Sequence, residues 1–232
     1  MSTAQSPSEP VHLFAALVSE LHEEDTVAAV AATVADQGAA IMGDGAISIA
    51  LGRRRRLVSE AASESGLLDV MSSQTDLCEG PALDVSEGAS AVYCPDLAAT
   101  ELWPRWAAVA ASHGWRSWFS VQLLDRGQNL FGVLSFAHPL ADAVTPELAD
   151  RMWTLSLHAA IALDRAQAQE NLVRAAEAQG RVGLACGVLM ERHNVTAEQA
   201  FNTLRRCSQD QQRKLRDVAA DVLNDLQAGP KR

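Results

Sequence analysis

The chain is short of several things that would have narrowed its chemistry. It holds four cysteines, Cys78, Cys94, Cys186 and Cys207, at spacings of 16, 92 and 21 residues. That scatter contains no CxxC pair and no zinc-ligand rhythm, so reduced thiols are the expectation and no metal site is assigned. No stretch approaches the roughly 18 to 20 apolar residues of a membrane span. The first twenty residues also lack the basic start and continuous apolar centre of a secretory signal. The expectation is a cytoplasmic protein with no membrane partner. Signatures of catalysis are missing too: there is no GxSxG, no Walker loop, no HExxH and no His paired with a carboxylate at ligand spacing. An enzyme is not expected, and no cofactor is identified.

Lysine is nearly absent, with only Lys214 and Lys231, and the formal net charge of −10 taken whole speaks against a nucleic-acid partner. Its distribution says otherwise. Residues 1–176 carry 10 arginines and 22 acidic groups, a balance of −12, whereas residues 177–232 carry 9 basic and 7 acidic groups. Within 181–216 the set Arg181, Arg192, Arg205, Arg206, Arg213, Lys214 and Arg216 faces only Glu191, Glu198 and Asp210, a balance of +4. A solvated helix face and a phosphate-facing patch both fit such a cluster.

What is present is 48 % hydrophobic and 21 % charged over 232 residues, enough for one large domain or a medium and a small one. After a polar tail over residues 1–10, helical spacing marks Val11–Leu21 and Thr26–Met42. Ala46–Leu51 and Leu57–Ala61 read as a hairpin with Arg53 to Arg56 at its tip. A Ser-rich stretch with Leu67, Leu68, Val70 and Met71, a loop at Gly80-Pro81 and a short apolar piece Ala91–Cys94 follow. Trp103–His113 reads as a helix with Pro104 in its first turn. Ser117–Leu124 and Leu130–Phe136 read as a second hairpin, with Gly127 available for positive φ. The fold class is therefore α+β: an antiparallel sheet with flanking helices.

Thr145-Pro146 starts a helix in which Leu148, Met152, Leu155, Ala159, Ala162 and Ala166 recur at spacings of three and four, and no breaker appears before about Gln179. This long connecting helix over 145–179 exceeds what the domain needs, so part of it is expected to pair with another chain, through the Leu148–Ala166 stripe, or to lead to a second module. Three short helices, Gly183–Arg192, Thr196–Ser208 and Gln212–Leu226, then form a C-terminal three-helix bundle over 177–227.

The residues Gly183, Ala185 and Gly187-Val188-Leu189-Met190-Glu191-Arg192, then Ala200-Phe201, Leu204-Arg205, Ser208, Lys214-Leu215 and Val218-Ala219, resemble the ANTAR family of RNA-binding antiterminator modules. The resemblance implies a homodimer whose bundles bind tandem hairpins in nascent mRNA, with no DNA partner. It implies RNA-binding roles for Arg181, Gly183, Ala185, Gly187, Arg192, Arg205, Arg206, Ser208, Arg213, Lys214 and Arg216, the glycines and Ala185 allowing close approach. The family often has Gln and Lys where this chain has Leu184 and Cys186. Further forward, Gln74, Gly80-Pro81, Tyr93-Cys94-Pro95-Asp96-Leu97, Trp103-Pro104, Gly114, Arg116-Ser117, Leu123 and Leu130-Phe131-Gly132-Val133-Leu134 resemble the GAF family of sensory domains over about 11–165. That resemblance implies a regulatory domain taking a small-molecule signal in a pocket on one face of its sheet.

Tyr93, Trp106, Trp115 and Trp118 are the candidate pocket lining, with core packing as the alternative. Cys78 and Cys94 fit either an oxidation sensor or inert buried thiols, and His113 and His138 read as local hydrogen-bond formers. The Arg53–Arg56 tip is either a solubilising turn or an auxiliary contact for RNA or an acidic partner. The whole reads as a transcription antitermination regulator controlled by a sensory domain. The alternative is a small-molecule or redox sensor that acts through protein–protein contacts without RNA.

Overall fold

A computed structural model of the protein describes residues 9–21, 23–53 and 56–227. The expected tail over 1–10 and the centre of the arginine tip, Arg54 and Arg55, thus lie largely outside the described residues. The chain divides into two compact units, one ending at Gln169 and the other beginning at Glu170.

The first unit is built on a five-stranded sheet of order β2-β1-β5-β4-β3. Its strands are β1 Ala46–Arg53, β2 Arg56–Ala62, β3 Ala91–Cys94, β4 Ser117–Leu124 and β5 Leu130–His138, and every neighbouring pair is antiparallel. Side chains alternate between the two faces of a strand, and here both faces are apolar and both are covered. Ile47, Ile49, Leu51, Phe119, Val121, Leu123, Leu134 and Phe136 form one core with helices α1 (Glu9–Leu21), α2 (Val27–Met42) and the start of α6 (Pro146–His193). Ala46, Ala50, Trp118, Val133 and Ala137 form the other with α3 (Ser65–Leu77), α4 (Pro81–Ser86) and α5 (Pro104–Ser112).

Local chemistry sets the ends of these helices. Thr26 caps α2 by accepting from the Ala29 amide at 3.2 Å, and Gly43 closes it at φ 87°. The Gln74 side chain, buried in α3, accepts from the Ala82 amide at 2.8 Å and so caps α4 from another element. Gly80, at φ 140°, lies so near Gln74 that a Cβ there would fall 2.2 Å from the amide oxygen; only glycine fits. Glu79 caps α5 in the same way, accepting from the Arg105 amide at 3.0 Å and from the Arg105 Nε at 2.7 Å. The side-chain bond from Arg105, helped by the main-chain amides, holds the Glu79 carboxyl below the usual carboxylate range.

α3 and α4 replace the Ser-rich stretch and loop suggested by the sequence: α3 starts at Glu64 without a side-chain cap, and α4 is capped by Gln74 of α3. In the β4–β5 turn it is Gln128 that takes positive φ, at 61°. Gly127 instead leaves room for Asn129, whose amide would lie 2.8 Å from a Cβ at that position.

Two expectations about α6 are corrected. The helix is continuous from Pro146 to His193, so no separate helix begins at Gly183; the first left-handed residue to end it is Asn194, at φ 51°. The stripe Leu148, Met152, Leu155, Ala159, Ala162 and Ala166 is buried in the unit's own core and is not available to a second copy. Amphipathic spacing reported a buried face, and the sheet rather than another chain buries it.

The second unit comprises the end of α6, α7 (Ala197–Asp210) and α8 (Leu215–Gln227). Its core is small: Ala185, Cys186, Ala200, Leu204, Val218 and Ala219, with Val182, Leu189, Leu215 and Val222 packed around them. A capping box starts α7, Thr196 Oγ1 accepting from the Gln199 amide at 3.3 Å and Gln199 Oε1 from the Thr196 amide at 2.9 Å.

Candidate nucleic-acid interface

In the second unit, the basic residues fall into two groups. Arg213 donates to Asp221 Oδ2 at 2.5 Å, Arg216 lies 3.5 Å from Asp217, and Arg181 lies 3.7 Å from Glu177. Bonding to Asp221 raises the Arg213 pKa further above its ordinary value. Arg192, Arg205, Arg206 and Lys214 are exposed and, among the described residues, have no ion-pair partner. A cation with no internal partner loses no protein contact when it meets a phosphate. These four are therefore the stronger candidates among the expected set.

Other members of the set are sorted by burial. Ala185 is fully enclosed in the core, so its small side chain serves helix packing, a correction to the role in close approach. Cys186 lies beside it, and burial pushes its thiol up. Gly183 and Gly187 are exposed, and a Cβ at either would meet nothing within 4 Å. Leu184, at 65 % exposure, stands between them. The Ser208 hydroxyl donates to the Arg213 carbonyl at 2.6 Å, and the Arg213 amide returns a bond to the Ser208 carbonyl at 3.0 Å. Ser208 thereby fixes the α7–α8 link that carries Arg213 and Lys214. At about 100° per residue, Arg205 and Arg206 point to different flanks of α7, so the pair does not form one spot of charge.

The first unit corrects the expected aromatic pocket. Trp106 and Trp118 are fully buried, with ring centres 5.0 Å apart and planes at 89°. Trp106 Nε1 donates to the Val70 carbonyl at 3.0 Å, and Trp118 Nε1 to Ser120 Oγ at 2.9 Å. Trp115, 7 % exposed, belongs to the same core. Tyr93 is 41 % exposed and pairs with Phe119 across β3 and β4, while its neighbour Cys94 pairs with Trp118. Paired residues share a face, so Tyr93 lies on the opposite side of the sheet from Trp118. The four do not line one cavity.

Three fully buried serines cross the tryptophan-bearing face in register, Ser48 on β1, Ser135 on β5 and Ser120 on β4. Ser120 and Ser135 share a 2.7 Å hydrogen bond, whereas the Ser48 hydroxyl has no partner among the described residues. On the other side of the unit, a cavity of about 540 Å³ lies between the β4–β5 hairpin and α6, lined by Gln122, Leu124, Trp153, Leu157, Ala160 and Ile161. Leu157 is 61 % exposed there, and Trp153 and Ile161 are exposed with it. Arg126 spans from the hairpin to Asp164 on α6 at 3.1 Å.

The remaining candidates are settled by their surroundings. Burial raises the Cys94 thiol, which opposes the acidified thiolate that an oxidation sensor needs; Cys78 is exposed, and all four cysteines are free. A ring nitrogen of His113 meets the Val109 carbonyl at 3.0 Å, and His138 Nδ1 accepts from the Leu140 amide at 3.0 Å. Asp96 and Arg116 were legible only as motif letters. They form a bidentate pair at 2.8 and 2.7 Å that draws the Asp96 carboxyl down to about 2. No group of three or more metal-ligating side chains occurs among the described residues, and no described helix is long and apolar enough to cross a membrane.

Comparison with known proteins agrees with both units. Residues 20–164 match the GAF domain family, and residues 170–223 match the ANTAR domain family. No curated protein matches the chain. Among solved structures, the chain is similar to the GAF domain of a phosphoenolpyruvate-protein phosphotransferase from Acinetobacter. The two share 17 % identity over 72 % of this chain and 99 % of that one, with a TM-score of 0.56. The corresponding domain from Coxiella burnetii gives 15 %, 70 %, 96 % and 0.55. A putative GAF sensor protein from Burkholderia vietnamiensis gives 16 %, 66 %, 94 % and 0.51. At these identities the likeness concerns the fold: the two-sided sheet with its covering helices. With that fold and the match over 20–164 in hand, the chain belongs to the GAF family and carries an ANTAR domain at its C-terminal end.

Proposed function

We propose that the protein is a sensor-regulated transcription antiterminator whose ANTAR unit binds tandem hairpins in nascent mRNA. The observation that carries this reading is the set of unpartnered cations Arg192, Arg205, Arg206 and Lys214 on the unit that matches the ANTAR family, in a chain whose other unit is strongly acidic. Fixed cations on a small helical unit suit phosphate clamping, and hairpins are read by shape and by their splayed loops. The sensory unit receives a small-molecule signal, for which the buried hydroxyls of Ser48 and Ser117, both without a partner among the described residues, are available polar anchors. Neither catalysis nor a DNA target belongs to this reading, and the site of action is the cytoplasm.

The protein acts as a homodimer, so that two ANTAR units meet two hairpins at raised effective concentration. A second copy covers the exposed Trp153–Leu157–Ile161 ridge of α6. The charges bordering that ridge are spent within the unit, Arg126 on Asp164 and Arg165 on Asp25 and the Leu21 carbonyl, so the ridge meets a second copy through its apolar side chains. Leu157→Glu should convert a dimer to a monomer in sedimentation; a wild-type monomer would contradict the assembly.

The RNA reading is tested by gel shift with a two-hairpin RNA. Arg205→Glu with Arg206→Glu should abolish the complex, and duplex DNA of equal length should compete poorly. An affinity that the double reversal leaves unchanged, with the same dependence on salt, would remove Arg205 and Arg206 from the interface; weak, salt-insensitive association of the wild type with the RNA would favour a protein partner.

A further inference from the structure

Phe201 is 41 % exposed although its neighbours Ala200 and Leu204 anchor α7 in the core. At about 100° per residue, Phe201, Arg205 and Ser208 fall on one flank of that helix. Ser208 is bonded to Arg213, which ties the main chain of the α7–α8 link, one residue before Lys214, to the far end of that flank. The ring therefore has a guanidinium one turn on and the cationic link about two turns on, with Glu198 three residues before it as the acidic border. Neither Arg205 nor Lys214 has an ion-pair partner among the described residues. A protein-docking patch would surround an exposed phenyl with further apolar side chains. Here the neighbours on that flank of α7 are Ala197, Glu198, Arg205 and Ser208, and the one apolar member, Ala197, ends at a methyl group.

We propose that Phe201 is the base-stacking platform of the ANTAR unit: an unpaired loop base lies on its ring while Arg205 and Lys214 take the flanking phosphates. The proposal rests on the RNA-binding reading and adds a division of labour to it. Cations attract any RNA in proportion to its phosphates. An aromatic face, by contrast, rewards only a base that has left its helix, because a base stacked in a duplex offers no free face. Phe201 is thus the residue that distinguishes a hairpin loop from uninterrupted duplex.

The test uses the full chain and a two-hairpin RNA carrying 2-aminopurine at each loop position in turn, with a loopless RNA duplex as reference. For Phe201→Ala the expected result is about a tenfold or greater loss of affinity for the hairpin RNA, an unchanged salt slope, unchanged affinity for the duplex and loss of the 2-aminopurine fluorescence change. Phe201→Trp should bind as the wild type. Phe201→Leu, which keeps apolar bulk without an aromatic face, should fold as the wild type by circular dichroism and bind as weakly as the alanine variant. Wild-type affinity in the leucine variant would overturn the platform, as would a loss of self-association in place of RNA affinity. If the wild type binds neither RNA, the RNA-binding reading fails and the platform with it, an outcome distinct from binding that survives the loss of the ring.

Discussion

The two units solve opposite problems with opposite materials. The sensory unit covers a sheet on both faces with bulky side chains, Trp106, Trp118, Phe136, Ile47 and Leu134 among them, all fully buried. The indole N–H groups of Trp106 and Trp118 are spent inside the fold on Val70 and Ser120. The ANTAR unit closes on Ala185, Ala200 and Ala219 and leaves its guanidinium groups, its one large ring and three helix glycines facing outward. The buried aromatics of the sensory unit make structure; the cations of the ANTAR unit that have no partner are available for recognition. The aromatic-rich region was the more conspicuous candidate site in the sequence, and it is the better packed.

This contrast can be broken most forcefully from within the cores. Trp118→Ala should cost about 3–5 kcal/mol and Leu204→Ala about 2–5 kcal/mol, measured by urea unfolding. The first should leave hairpin RNA binding in place and the second should remove it. Equal loss of binding in both would mean that the two units do not divide the work.

A smaller effect sharpens the recognition side. Gly183 is exposed within α6 with nothing within 4 Å of a Cβ position, so Gly183→Ala should stabilise the helix by about 1 kcal/mol, read as a raised Tm. Reduced RNA affinity in that more stable protein would identify the bare backbone as a contact surface; unchanged affinity would leave it without that role.

The smallest effect is acid dependence in the sensory unit. Asp96 has a folded pKa of about 2, below its ordinary value of 3.8, because Arg116 donates to it at two points. Its stabilising contribution is fully present above about pH 4 and is lost as pH falls through 2. Asp96→Asn should flatten the sensory unit's stability profile in that interval, as followed by tryptophan fluorescence, and leave the profile above pH 5 alone.

How much of this was legible varies with how local the cause is. Ser117–Leu124 coincides with β4, and the helix starts at Thr26, Thr145 and Thr196 follow from their own side chains and the residues just after them. α4 was not visible because its cap, Gln74, comes from another helix, and α3 because its start at Glu64 carries no side-chain cap. The motif letters Gln74, Gly80 and Asp96 carried the resemblance, but their purpose is clear only when a clash at Gly80 and a bidentate ion pair at Asp96 are seen. For the candidate interface, charge counting drew out 36 residues within the unit that matches the ANTAR family but could not separate Arg213, held by Asp221, from Arg205. It also could not show that Ala185 points inward and Phe201 outward, since both are apolar positions in the same pattern.

The small core of the ANTAR unit has a thermodynamic consequence. Side chains as short as Ala185, Ala200 and Ala219 remove little apolar area from water, so the three helices assemble with a thin margin of stability. A ligand that binds only the assembled form adds RT ln(1 + [L]/Kd), about 2.7 kcal/mol at a hundred times its Kd. A bound transcript would therefore act as a structural component of the unit, and the lifetime of the folded helices would follow the concentration of RNA as well as the sequence of the protein.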